Sequence, residues 1–305
     1  MITAVCLNPS LDKTLYVKDF QQGATNRVLR GQQAPGGKGV NVSRLLASFS
    51  LETQTLMFLG QHDRLLMEEA LSAWGCALSA VMLPGRLRVN VKVMDESRTQ
   101  VTELNTQGNP VAAQQLEEMQ RLVLQAARQS RWLCLCGSLP PGCPSDYYAK
   151  LIRQVRLNAS GCRVALDCSG ESLNLALREG PDLVKPNLEE LSAFAGRPIE
   201  NSEQAEQAVR ALQAGGATEV ILSLGAKGAR LYSGQERYFA PGLSLPVVTT
   251  VGAGDAMLAG YIAGREQGLS AREAFRLSAA SAAALIAGQP GSRDQHLSLA
   301  EVRQL

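Results

Sequence analysis

The run Thr249-Thr250-Val251-Gly252-Ala253-Gly254-Asp255-Ala256-Met257 joins an apolar, strand-like stretch to a glycine-rich turn that opens a helix. Consecutive backbone N–H groups at such a turn, with no side chain on either glycine, close around an anion at the positive end of a helix. An Asp beside an anion hole suits phosphoryl transfer. The amides of Gly252, Ala253 and Gly254 hold the charge developing on the transferred group while Asp255 accepts the proton of the attacking hydroxyl. The same spacing also suits an ordinary helix start, because Asp favours helix starts and Gly favours turns.

A second cluster, Pro35-Gly36-Gly37-Lys38-Gly39-Val40-Asn41-Val42, precedes a helix. Its glycines let backbone approach a polyhydroxylated ligand or hinge a lid, and Asn41 offers both a donor and an acceptor to sugar hydroxyls. A flexible loop before a helix explains it equally well. Arg88, Asn90 and Lys92 share one face of an alternating strand, with Arg27 and Arg30 in an earlier segment. They read either as a solvated edge or as cations for a substrate phosphate. In Val184-Lys185-Pro186-Asn187-Leu188-Glu189-Glu190, Asn187 and Glu190 have capping-box spacing, which local helix initiation alone explains. Ser223-Leu224-Gly225-Ala226-Lys227-Gly228 reads as a tight turn after a strand.

Other chemistries lack their residues. Gln32 stands where a Walker A loop ending at Gly37-Lys38 needs its first glycine, and Gly39 follows the lysine. A dinucleotide fingerprint read from Gly252 ends at Met257, where Gly or Ala is required. His62 and His296 lie in no metal-binding or triad setting. Thirty Lys and Arg against 28 Asp and Glu leave a net charge of +2 with no long run of one sign, which disfavours nucleic-acid and membrane-surface partners. Seven scattered cysteines make a poor disulfide framework and suit a reducing cytosol; Cys134 and Cys136 read as core of a buried strand. The chain shows no secretory leader and no transmembrane run, so a soluble cytoplasmic protein is expected.

The elements that must position these clusters alternate. Ile2 to Leu7, Thr55 to Leu59, Trp132 to Cys136, Arg163 to Asp167, Leu183 to Val184 and Glu219 to Leu224 read as strands. Val40 to Phe49, Leu65 to Trp74, Ala112 to Arg128, Asp146 to Asn158, Glu189 to Ala195 and Glu203 to Ala214 read as helices, and the tail from Ala253 as helical with small residues that allow close packing. This rhythm argues for an α/β fold with a mostly parallel central sheet covered on both faces. Thr14 to Ala34 and Arg86 to Leu104 alternate without a helix between them, as strands that bury one face only. The 305 residues therefore read as one domain with a small lid from insertions at about 12–36 and 86–106.

In this order the clusters resemble the ribokinase-like (phosphofructokinase-B) carbohydrate kinase family, over essentially the whole chain. Gly36-Gly37-Lys38-Gly39-Val40-Asn41 looks like its first signature, Val251-Gly252-Ala253-Gly254-Asp255 like its second, and Asn187 to Glu190 like its Asn-x-x-Glu motif. Leu7-Asn8-Pro9-Ser10-Leu11-Asp12, the Arg88 to Lys92 strand and Gly137-Ser138-Leu139-Pro140-Pro141-Gly142 resemble the branch acting on phosphorylated ketohexoses. Arg88-Val89-Asn90-Val91-Lys92 looks most like 1-phosphofructokinases, whereas Asp167-Cys168-Ser169-Gly170 and Lys185 to Leu191 look equally like tagatose-6-phosphate kinases. Lys38 departs from the minor 6-phosphofructokinase pattern, which has Gly there.

The resemblance implies a three-layer αβα core with a β-sheet lid, often paired with a second subunit's lid as a homodimer. It implies ATP and Mg2+ as cofactors and a ketohexose phosphate as substrate. Asp255 would be the base and the amides of Gly252, Ala253 and Gly254 the anion hole. Asp12, Gly37, Lys38 and Asn41 would hold sugar hydroxyls, with Arg27, Lys38, Arg88 and Ser138 around the substrate's phosphate and Asn90 a further substrate contact. Lys185, Asn187, Ser223, Gly225 and Gly228 would line the ATP phosphates, and Glu190 would organise magnesium through water. The implied reaction converts fructose 1-phosphate to fructose 1,6-bisphosphate. Tagatose 6-phosphate is the alternative substrate, and a non-catalytic sugar-phosphate-binding regulator the reading from another class.

Overall fold

The computed structural model describes residues 1–98, 100–289, 297, 298 and 300–305, so His296 lies outside the described residues. A large sheet is built from β1 (Ile2–Cys6), β4 (Thr53–Gly60), β5 (Cys76–Leu83), β8 (Trp132–Cys136), β9 (Arg163–Asp167), β10 (Leu183–Val184), β11 (Glu219–Ser223), β12 (Gly228–Ser233), β13 (Glu236–Pro241) and β14 (Arg303–Gln304). A separate sheet holds β2 (Ser10–Val17), β3 (Arg30–Gly36), β6 (Arg88–Asp95) and β7 (Gln100–Leu104). The large sheet runs in the order β14-β13-β12-β11-β10-β9-β8-β1-β4-β5, parallel from β11 to β5 and antiparallel at the β12–β14 edge.

Parallel strands buried on both faces require apolar residues throughout, and β1 and β8 are buried at every position. One face packs on α3 (Ala113–Ala127), α4 (Tyr147–Asn158), α5 (Glu171–Leu177), α6 (Leu188–Ala195) and α7 (Ser202–Ala214). The other packs on α1 (Lys38–Ala47), α8 (Ala253–Glu266) and α9 (Ala271–Ile286), with α2 (Arg64–Ala73) beside α1. The helix α8 is buried continuously from Asp255 to Gly264. A Cβ on Gly260 would stand 2.5 Å from Ser281 Oγ and one on Gly264 2.7 Å from Ala274 Cα, so these glycines let α9 lie against it.

The strands Trp132–Cys136, Arg163–Asp167 and Leu183–Val184 fall where their apolar runs predict, and the helices within two residues of expectation. Three features differ. The strand β5 and helix α5 lack a clean period, and the β12–β13 hairpin is announced only by Gly234-Gln235 at its turn. The apolar run before Gly252 is not a strand: residues 242–250 are irregular, Val247 and Val248 are exposed, and the run is tied to α9 by the Val248 amide donating to the Ile286 carbonyl at 2.8 Å.

The two alternating segments form the small sheet. Ser10 lies opposite Arg88, Asp12 opposite Asn90 and Thr14 opposite Lys92, so these polar side chains share one face. The chain crosses between the two sheets four times, at residues 7–9, 37, 84–87 and 105–112.

Candidate active site

Gly252 takes the left-handed conformation (φ 81°, ψ 1°) that turns the chain into α8. Among the described residues, the amides of Gly252, Gly254 and Asp255 have no intramolecular acceptor, whereas that of Ala253 donates to the Thr250 carbonyl at 3.3 Å. The expected trio of amides is thus corrected at its middle member: Ala253 spends its N–H in the turn, which leaves Gly252 and Gly254 of the three. Asp255 is 6% exposed and accepts a hydrogen bond from Asn41 Nδ2 of α1 at 2.8 Å. Burial, then the negative charge of Asp167, pushes its carboxyl up to about 6, against the opposing pull of Asn41, Lys185 and Lys38.

Next to this carboxyl lies an ion cluster at the carboxyl ends of β9 and β10. Lys38 Nζ is 2.8 Å from Asp167 Oδ1 and 3.5 Å from Glu190 Oε1, and Lys185 Nζ is 3.3 Å from Asp167 Oδ2. Burial alone would raise the Asp167 carboxyl, but Lys185 and Lys38 together hold it below the usual carboxylate range. Lys38 stays above its ordinary value despite its burial because Asp167, Glu190 and Asp255 surround it. Asp167 Oδ2 receives no aligned hydrogen bond, so Lys185 is paired to it by distance only. The same ammonium stands 3.0 Å from where a Cβ on Gly254 would be, which puts it beside the turn.

Glu190 serves two ends. Its Oε2 accepts the Asn187 amide at 2.9 Å while Asn187 Oδ1 accepts the Glu190 amide at 2.7 Å, closing the capping box at the start of α6, and Oε1 faces Lys38. Among the described residues no three His, Cys, Asp or Glu side chains gather tightly enough to cage a metal. Glu190, with one carboxylate oxygen facing Lys38, fits magnesium, which keeps much of its water and takes one or two carboxylates plus substrate phosphates.

A cavity of roughly 350 Å³ opens on the far side of the anion hole, lined by Asn187, Ser223, Gly225, Gly228 and Gly254 and by the apolar 243–247 stretch. Its walls explain why that stretch is apolar without being a strand. Gly228 has φ 104°, and a Cβ there would stand 2.0 Å from the Ala240 carbonyl oxygen, so only glycine fits.

On the opposite side Asp12 accepts from Ser10 Oγ at 2.8 Å, Asn90 Nδ2 at 3.2 Å and Lys92 Nζ at 3.1 Å. Asn90 Oδ1 beside it is buried without a partner. Ser138 Oγ accepts from Asn8 Nδ2 at 3.1 Å. Gly37 (φ 110°) packs on β1, where a Cβ would stand 2.7 Å from Cys6 Sγ. Arg88 is present but committed to backbone: three of its five N–H groups reach the carbonyls of Asn8, Pro9 and Thr106. Arg27 is not brought into this cluster. It is exposed on the β2–β3 connection, which leaves the small sheet at its Val17–Asp95 end, opposite Ser10 and Arg88. Sequence reasoning assigned no role to Asp167 or Asn8, and left Lys92 open between a solvated edge and a cation for a substrate phosphate; for Asp167 the one available signal was an acid ending a parallel strand, where α/β sheets place ligands.

The chain matches the pfkB family of carbohydrate kinases over residues 6–297. It is 40% identical over 280 residues to the 1-phosphofructokinase of Rhodobacter capsulatus, covering 92% of this chain and 88% of that protein. It is 36% identical to the 1-phosphofructokinase of Bacillus subtilis (strain 168), with 93% and 92% covered. Phosphofructokinase-2 from Escherichia coli, solved in complex with substrates and products, aligns over 98% of both chains with a TM-score of 0.91 and 25% identity. The paired Gly-rich sites, the shared architecture and these matches place the chain in the pfkB family of carbohydrate kinases.

Proposed function

We propose that the protein transfers the γ-phosphoryl group of ATP to the 6-hydroxyl of fructose 1-phosphate, giving fructose 1,6-bisphosphate and ADP. The observation that carries the chemistry is Asp255, held by Asn41 beside unpaired amides with the Lys185 ammonium next to Gly254. The likeness to two proteins named 1-phosphofructokinase supports the substrate. Asp255 takes the hydroxyl proton, and a carboxyl near 6 is ionised for that task at neutral pH. The amides of Gly252 and Gly254, with Lys185, hold the charge on the transferred group. The nucleotide lies in the cavity, its phosphates against Asn187, Ser223, Gly225 and Gly228. Magnesium, reached by Glu190 through water, supplies neutralisation of phosphate charge when bound. Asp12, Asn41 and Asn90 meet the sugar hydroxyls, with Lys38 and Ser138 toward its phosphate end.

The small sheet, from the insertions at 12–36 and 86–106, acts as a lid that keeps water from the transferred group. Exposed Val28, Leu29, Val101 and Leu104 support pairing of two such lids in a homodimer, and sedimentation as a monomer would overturn that pairing. Free thiols at all seven cysteines suit a cytoplasmic location, and among the described residues no helix is long and apolar enough to cross a membrane.

A panel of fructose 1-phosphate, tagatose 6-phosphate and fructose 6-phosphate with ATP and magnesium, read by ADP release, tests the reading. We expect kcat/KM for fructose 1-phosphate to lead by about 100-fold, since a misplaced phosphate leaves its site unpaired. A lead by another ketose phosphate overturns the substrate, and no turnover with any overturns the enzyme.

A further inference from the structure

Four crossings connect the small sheet to the core, and one side chain joins three of them. Arg88 begins β6 at the end of the third crossing. Its Nε donates to the Asn8 and Pro9 carbonyls at 3.1 and 3.3 Å, and its Nη2 to Asn8 O at 2.9 Å, all on the first crossing. Its Nη1 donates to the Thr106 carbonyl at 3.1 Å, on the fourth. Thr106 is itself fixed by its Oγ1 donating to the Val89 carbonyl at 2.9 Å. The same knot is closed from outside: Asn109 Nδ2 donates to the Arg86 carbonyl at 2.8 Å, and Gly108 packs so tightly on Asn8 that a Cβ would stand 1.9 Å from its Oδ1.

We propose that Arg88 is a positioning residue, a hinge clamp whose planar fork sets the angle of the small sheet over the core before any substrate arrives. The fork geometry matters because the acceptors belong to two chain segments at different angles, which a lysine's point charge does not span. The two remaining N–H groups leave Arg88 able to sense an anion near Ser138, whose hydroxyl is held by the side chain of the same Asn8. Sugar-phosphate binding and sheet position are thereby linked through one residue. The link to catalysis rests on the kinase reading above; the clamp itself does not.

Arg88→Lys tests the clamp, because it keeps the charge and removes the fork. In the protein without ligands, hydrogen–deuterium exchange of β2 and β6 amides is expected to quicken by about tenfold, from the loss of two or three hydrogen bonds, while β8 and β9 stay unchanged. In turnover, ADP released per fructose 1,6-bisphosphate formed is expected to rise above one as water enters under a loosened sheet, which a simple loss of stability would not produce. A rise in KM for the sugar phosphate with unchanged exchange and unchanged coupling makes Arg88 a plain ligand and overturns the proposal, as does no effect at all. Should Arg88→Lys fail to fold, Thr106→Ala at an exposed position removes only the bond to Val89 and is expected to quicken the same segments about threefold; unchanged exchange there overturns the clamp. Altered exchange in a protein that phosphorylates no sugar would sink the kinase reading and spare the clamp.

Discussion

The end of β9 and the start of α8 each present a buried aspartate, and the two behave oppositely. Asp167 is 1% exposed and faces two ammonium groups, which overcome its burial and keep it an anion. Asp255 is 6% exposed, has one carboxamide as its hydrogen-bond partner, and is pushed up to about 6. Burial pushes both upward, and the partners decide the sign of the net shift. One carboxylate anchors two lysines permanently while its neighbour is left poised to exchange a proton, the division of labour expected of an acid–base site. Because the charge of Asp167 is the second cause of the rise at Asp255, the anchor also tunes the Asp255 carboxyl.

Asp255→Asn breaks the comparison most sharply. It removes the base while keeping shape and the acceptor for Asn41, so kcat is expected to fall by about 10³- to 10⁴-fold with ATP affinity retained. A variant within tenfold of the parent would remove Asp255 from the mechanism. The same variant is expected to be the more stable protein. A carboxyl whose folded pKa lies above its unfolded 3.8 costs stability when ionised, on the order of 3 kcal/mol for a rise to about 6. That cost is fully present above about pH 6 and vanishes as pH falls below 3.8. The melting temperature of the variant should therefore exceed the parent's at pH 8, with the gap closing by pH 4.

Asp167→Asn sharpens the other half. It strands Lys38 and Lys185 without their shared counter-charge, and about 3–5 kcal/mol of stability is expected to go, read by urea unfolding at pH 7. The sign with pH is opposite: a depressed carboxyl stabilises above its unfolded pKa and loses that contribution as pH falls. In whatever activity survives, the acid limb of the rate profile is expected to move to lower pH, since one cause of the raised Asp255 is gone. An unmoved acid limb would show that the two sites are not coupled.

What the sequence made legible follows from range. Gly252, Gly254 and Asp255 lie within four residues, Asn187 and Glu190 three apart, and the strands β8, β9 and β10 are built on short apolar runs; local chemistry announces all of them. Asp167 gave no comparable sign, because its meaning comes from Lys38, 129 positions upstream. The alternation of the Arg88 strand told which face Arg88 occupies, yet its partners are carbonyls 79 and 80 positions upstream and 18 downstream, which carry no side-chain signature. The apolar run before Gly252 misled for a related reason: a cavity wall, to which Thr250 belongs, and a buried strand ask for the same kind of residues.

The seam between α8 and α9 has a bearing on how this chain tolerates change. Gly260 and Gly264 stand roughly 8 and 14 Å along the helix from Asp255, at 1.5 Å per residue, and neither has room for a single added carbon. Any larger residue there must shift α8 against its neighbour and carry the Asp255 carboxyl with it. In a comprehensive library of single substitutions, inactive clones should therefore cluster at these two positions as densely as around the anion hole, although nothing at either glycine touches a reactant.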